Sequence, residues 1–310
     1  MLKKLNTKTL LVLLIALVAI VAMAVWSKDS APKSTLPARV VEVDSSAIDR
    51  LVIKPVDGEA YELIRTLGKW KLKLTDGRLV AVESKALNNS FSSLLNVAPK
   101  RIVTRKEEKW ESYELTEQLA TKVSFYKGSE LAGGLLIGKI DFNQQTNTMS
   151  NFVRREGENE VFVCDAPLTF DWKKKPSDWR NKSLTKSSIS SIAKVTASGA
   201  MNFSLVKDDL SGWSTQGIEM DSTQIMSYVT GLANLTTKEF ADNVLPNQLE
   251  NPMQTLEIYT ELEDITLSVY SLQDRQLIHS SANAENVFVL SVDVATKLYP
   301  PTLLESTVPE

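Results

Sequence analysis

The sequence predicts an α+β fold: an N-terminal transmembrane helix, then two similar subdomains, each a mainly antiparallel sheet with one helix packed on it. Three observations predict it. Alternating apolar and polar runs are punctuated by Asp-Gly pairs, each half contains one stretch with helical period, and tryptophan and Val-Phe-Val marks recur in the same order.

Residues Leu10–Trp26 read LLVLLIALVAIVAMAVW, and no charge occurs from Thr9 to Ser27, close to the length that crosses a bilayer core. Lys3, Lys4 and Lys8 stand ahead of the run, so the basic end is expected in the cytoplasm and everything after Trp26 on the far side. Ala22-Met23-Ala24 fits a signal-peptidase site, which makes cleavage after Ala24 the competing reading. The apolar run continues through Val25 and Trp26, which favours an uncleaved anchor. The expected organisation is a basic N-terminus (1–9), the membrane helix (10–26) and a tether with Pro32 and Pro37 (27–39), then a first repeat (40–171), a connector (172–186) and a second repeat (187–310).

In the first repeat, Leu51–Lys54 and Ala60–Arg65 alternate around Asp57-Gly58, and Trp70–Leu74 and Arg78–Val82 around Asp76-Gly77, giving two hairpins. Leu87, Phe91, Leu94 and Leu95 recur at helical spacing. Strands are expected at Lys122–Tyr126, Gly133–Gly138, Asn151–Arg155 and Glu160–Cys164. The second repeat follows the same order: Ser188–Val195 and Met201–Val206, then Trp213, then a helix with Ile225, Val229, Leu232 and Leu235 on one face behind Asp221 and Ser222 as capping candidates. Strands follow at Thr255–Thr260, Ile265–Tyr270, Gln276–Ser281 and Asn286–Leu290. Trp70 and Trp213 lie 143 positions apart, and the Val-Phe-Val marks at Val161 and Val287 lie 126 apart, so the second half is 17 residues shorter between them. An internal duplication accounts for this, with Asn143–Ser150 as a loop present only in the first copy.

The chain has 310 residues, 43% hydrophobic and 24% charged, with one His and one Cys. There is ample apolar surface for a core, and multi-His, Cys-rich or paired-Cys sites are excluded within one chain. Setting aside Lys3, Lys4 and Lys8 leaves 32 basic against 38 acidic side chains, a mildly acidic balance that argues against nucleic-acid binding.

Gly133–Lys139 fits G-x-x-x-x-G-K, yet Ile140 stands where a magnesium-binding hydroxyl is required and the flanks read as strand, so a strand ending in a Gly turn is expected. His279 beside Ser280 and Ser281 points to the opposite face from its neighbour on a strand, and no nucleophile elbow exists. Cys164 is expected as core packing. Asp208-Asp209, Glu107-Glu108 and Glu261, Glu263, Asp264 read as solvated turns, and Arg101, Arg105, Lys106 and Lys109 as a solvated connector. No catalytic residue, cofactor or metal is expected. The segment DWKKKPSDWRNKSL stands apart: Lys173, Lys174, Lys175, Arg180 and Lys182 outweigh Asp171 and Asp178, with Trp172 and Trp179 interleaved. It fits a contact for anionic headgroups or an acidic partner, and equally a connector whose tryptophans fill the two cores.

The motifs G-K-W-x-L (Gly68–Leu72), Y-E-L-T (Tyr113–Thr116), L-L-I-G-K (Leu135–Lys139), V-F-V, D-W-R-N-K-S-L (Asp178–Leu184), S-G-W (Ser211–Trp213) and L-E-N-P (Leu249–Pro252) resemble the DUF4340 family of bacterial envelope proteins. The resemblance implies a single-pass protein of the inner membrane with its bulk in the periplasm, an accessory to ABC-type exporter components of the gliding-motility kind. The expectation is a non-enzymatic interaction domain. Its rivals are an envelope glycan- or lipid-binding module and, behind it, a carboxylate-dependent hydrolase.

Overall fold

Two antiparallel sheets dominate the computed structural model, which describes residues 17–18, 36–186, 189–208, 212–218, 220–272 and 274–300. The Leu10–Trp26 run lies outside the described residues except for Leu17 and Val18, which are helical. Among the described residues no helix is long and apolar enough to cross a membrane.

The first sheet is built from β1 (Arg50–Lys54), β2 (Tyr61–Thr66), β3 (Lys69–Lys73), β4 (Leu79–Ala81), β5 (Pro99–Thr104), β6 (Thr121–Lys127), β7 (Glu130–Asn143), β8 (Thr148–Arg155) and β9 (Val161–Cys164), in the order β4-β3-β2-β1-β6-β7-β8-β9-β5. Helix α1 (Ser84–Leu95) lays Leu87, Phe91 and Leu94 on it, in a core that also takes Leu51, Leu63, Trp70, Leu72 and Phe125. These inward residues sit two apart on each strand, as the pleat requires. The second sheet comprises β10 (Ile192–Gly199), β11 (Phe203–Asp208), β12 (Gly212–Gln216), β13 (Gln254–Thr260), β14 (Ile265–Leu272), β15 (Arg275–Ser280) and β16 (Val287–Val289), in the order β12-β11-β10-β13-β14-β15-β16. Two short helices, α2 (Leu168–Trp172) and α3 (Pro176–Trp179), lie in the connector. Helix α4 (Ser222–Ala233) packs on the second sheet through Ile225, Tyr228, Val229 and Leu232; α5 (Val292–Leu298) closes the described chain. At the start of α4, Asp221 and Gln224 cap each other reciprocally.

The second order repeats the β3-β2-β1-β6-β7-β8-β9 stretch of the first, and the registers repeat with it. Leu72 faces Leu63, which faces Leu51, which faces Phe125; Thr215 faces Leu205, then Val195, then Ile258. At the far side Val153 faces Phe162 as Ile278 faces Phe288. Trp70 and Trp213 therefore occupy matching places.

Several expectations are corrected. The balance is mostly β rather than α+β, with one 12-residue helix on each sheet. Residues 143–150 are the tip of a β7–β8 hairpin that outruns its neighbours, since β6 pairs with β7 only as far as Ile137. That arm explains only part of the length difference. The link from β3 to α1 spans residues 74–83 and carries β4, whereas the link from β12 to α4 is residues 217–221 alone. Arg101, expected in a solvated connector with Arg105, Lys106 and Lys109, lies in strand β5, paired with β9 at the sheet's edge, while the other three are exposed beyond its end. The strand expected from Ser188 begins at Ile192.

Candidate functional site

A cleft of about 1140 Å³ opens where the two halves meet. One wall is the β1–β2 loop (Asp57, Gly58, Glu59), Tyr61 and Glu62; a second is the β3–β4 turn (Lys73, Thr75, Asp76); the connector supplies Lys173, Lys174, Lys175 and Arg180; Asp242 and Asn243 come from the second half.

Pro176 ends the lysine run and starts α3, placing Trp179 one turn later against Trp172, with ring centroids 5.6 Å apart. Both tryptophans are fully buried, and both are in the first core rather than one in each. Leu184 is the connector's contribution to the second core. The Trp179 indole donates to the Tyr61 hydroxyl at 2.7 Å, and that hydroxyl donates to the Lys174 carbonyl at 2.9 Å. Burial raises the Tyr61 pKa well beyond its ordinary value. The Lys174 ammonium lies 4.3 Å from the centre of the Trp179 ring.

Arg180 is 3% exposed and joins the halves. Its backbone bridges Val82 at the end of β4, its guanidinium pairs with Asp242 at 2.8 Å and with the Asn286 side chain, and its plane lies 3.4 Å over the Phe240 ring. Its Nε is buried without a partner among the described residues. Lys71 pairs with Glu285, and Arg78 donates to the Asp242 carbonyl at 2.7 Å, so charged groups carry much of the seam.

Of the seven residues singled out as a contact surface, Trp172, Trp179 and Arg180 are therefore inside the molecule. Lys173 and Lys175 face solvent on the cleft, Lys174 is half-buried, and Lys182 reaches back toward Asp178 at 3.8 Å. Tyr61, Asp242 and Asn286 were not legible as partners of this segment: they lie 118, 62 and 106 positions from the residues they bond, in runs that read as ordinary strand or loop.

The strand expected to end in a turn at Gly138 does not end there: β7 runs on through it to Asn143. Gly133–Lys139 lies within β7, and Gly138 is small because the Tyr113 carbonyl presses on it. His279 meets the Ala284 carbonyl at 3.2 Å, whereas Ser280 points the other way and bonds the Leu184 carbonyl. Cys164 is buried, and that burial pushes its thiol up to about 12. Asp76 is held low by the Arg78 backbone amide and guanidinium, Asp165 by Lys100, and Asp44 by the Ser46 hydroxyl. A general acid needs the opposite displacement. Among the described residues no group of three or more potential metal ligands converges.

The family described as "Domain of unknown function (DUF4340)" matches residues 70–252, more than half of the chain, from β3 across the seam to the loop before β13. No curated protein and no solved structure matches.

Proposed function

We propose that this chain, which belongs to the DUF4340 family, is a non-enzymatic interaction domain held at the outer face of a bacterial inner membrane by Leu10–Trp26. It acts there as an accessory to an ABC-exporter-like complex. The observation that carries the reading is the uncharged run behind Lys3, Lys4 and Lys8, followed ten positions after Trp26 by Leu36, which packs on the first core. The two sheets descend from one duplicated unit, and the cleft between them presents Lys173 and Lys175 to a partner.

Crosslinking in intact cells, followed by purification of the full-length protein in detergent, tests this. Transporter subunits should travel with it, and should be lost when Leu10–Trp26 is exchanged for an unrelated anchor or when Lys173, Lys174 and Lys175 are neutralised. Recovery of the protein alone removes the proposal. The same lysine rim favours anionic headgroups as a second reading, which predicts thermal stabilisation of the full-length protein by anionic over zwitterionic lipid.

A further inference from the structure

The matching registers allow the two sheets to be compared edge by edge. In the first sheet β4 lies outside β3, with Lys71 facing Ala81, Leu72 facing Val80 and Lys73 facing Leu79. Val80 is 1% exposed and belongs to the core, and beneath this cover Trp70 and Leu72 are 4% and 0% exposed. In the second sheet β12 is the terminal strand. Gly217 turns the chain at once, with a φ of +78° and the Asn202 carbonyl where a side chain would begin, and among the described residues no counterpart of β4 forms. Trp213 is left half-buried and Thr215 exposed.

The other edges are covered or blunted. The connector pairs with β4 through Asn181 N–H to the Ala81 carbonyl at 2.9 Å. Residues 239–241 pair with β16 through Ala241 N–H to the Val287 carbonyl at 2.8 Å, and β5 carries exposed Lys100 and Arg101. Strand β12 reads Gly-Trp-Ser-Thr-Gln, with no charge and no proline, the usual devices that keep an edge from pairing.

We propose that β12 is a receiving edge for an extended segment of another polypeptide, which adds antiparallel to it as β4 adds to β3. The segment carries an aliphatic side chain opposite Thr215, where Val80 stands opposite Leu72. Backbone hydrogen bonds hold it, and that side chain, packing beside Trp213, gives selectivity. The inference rests on the reading of the chain as an interaction domain and supplies the chemistry of its partner.

The probe is a synthetic peptide of the sequence Asp76–Glu83, which covers the matching edge of the first sheet. Full-length protein in detergent carries Ser214→Cys; the native Cys164 is buried and stays silent. By the β3–β4 register, Ser214 faces the Ala81 position. With oxidised glutathione as the two-electron oxidant, peptide with Ala81→Cys should form the disulfide at least tenfold faster than peptides with Val80→Cys or Val82→Cys, and the tryptophan emission of the protein should shift to the blue, a shift that Trp213→Phe removes. Equal rates at the three positions overturn the proposal. So does rapid disulfide formation between two copies of the protein that peptide cannot compete away, which would make the edge a self-pairing one. Replacing residues 217–221 by residues 74–83 should supply the missing strand in cis and abolish the crosslink; an undiminished crosslink overturns the proposal. In cells, unchanged partner recovery by this graft rejects the receiving edge and leaves the interaction reading standing, whereas no recovery by either form rejects the interaction reading.

Discussion

Trp179 and Tyr61, 118 residues apart, meet in a buried 2.7 Å hydrogen bond between the first core and the cleft wall. The Tyr61 hydroxyl is acceptor to the indole and donor to the Lys174 carbonyl, so it fixes the connector to β2 at two places. Tyr61→Phe leaves the indole N–H buried without a partner and should cost about 2 kcal/mol. Urea unfolding checks this: the midpoint should fall with the slope unchanged, and a shift worth less than about 0.5 kcal/mol would contradict the assignment.

Arg180 is the principal buried cation of the seam. Arg180→Met keeps contact with Phe240 but leaves the buried Asn286 side-chain oxygen without its donor, at a cost of about 1–3 kcal/mol. Because the two cores are separate clusters, calorimetry should then resolve two transitions. Asp242→Asn, on the exposed side of the pair, should be milder.

Alkaline pH should unfold the protein earlier than the wear on its surface would suggest. Burial raises the Cys164 thiol from 9.0 to about 12 and raises Tyr61 and Tyr228 as well. The unfolded chain releases these protons first, so above about pH 9 it holds fewer protons than the folded chain and stability falls with rising pH. The stabilisation is whole below the unfolded value and is lost as pH climbs through the folded one. Urea midpoints at pH 8, 9.5 and 10.5 should decline in that order, and Cys164→Ala should flatten the first part of the decline.

Two glycines should respond oppositely to alanine. At Gly138 the added carbon runs into the Tyr113 carbonyl and the Leu115 side chain, an overpacking worth about 1–3 kcal/mol. Gly231, inside α4, has only Lys297 Cγ at 3.9 Å, and Gly231→Ala should stabilise by about 0.5–1 kcal/mol. Thermal midpoints moving in the same direction would refute the packing around one of them.

The strands of both sheets were legible where period-two patterns have one buried face, as in β2 with Tyr61 and Leu63 inward. The paired marks Trp70/Trp213 and Val161/Val287 likewise anticipated the matching registers. Strand β5 was hidden because an edge strand with Lys100 and Arg101 has no alternation to betray it, and β12 because Ser214, Thr215 and Gln216 are polar on both faces. Helix α5 spans seven residues and buries only Val294 and Leu298, a single i, i+4 pair too brief to stand out as a helical pattern. At the site, the connector's composition drew attention to the right segment. It could not say that Trp172 and Trp179 face each other, because that depends on the turn at Pro176 and on Tyr61, far away in the chain.

Strand β5 lies at the opposite edge of the first sheet from β4 and pairs only with β9, whose first residue comes 57 positions after β5 ends. As the chain is made, residues 99–104 must wait until Val161–Cys164 have emerged before their backbone finds a partner. Pairing of β5 must therefore meet the entropic cost of closing that loop, and it cannot begin until most of the half has been synthesised.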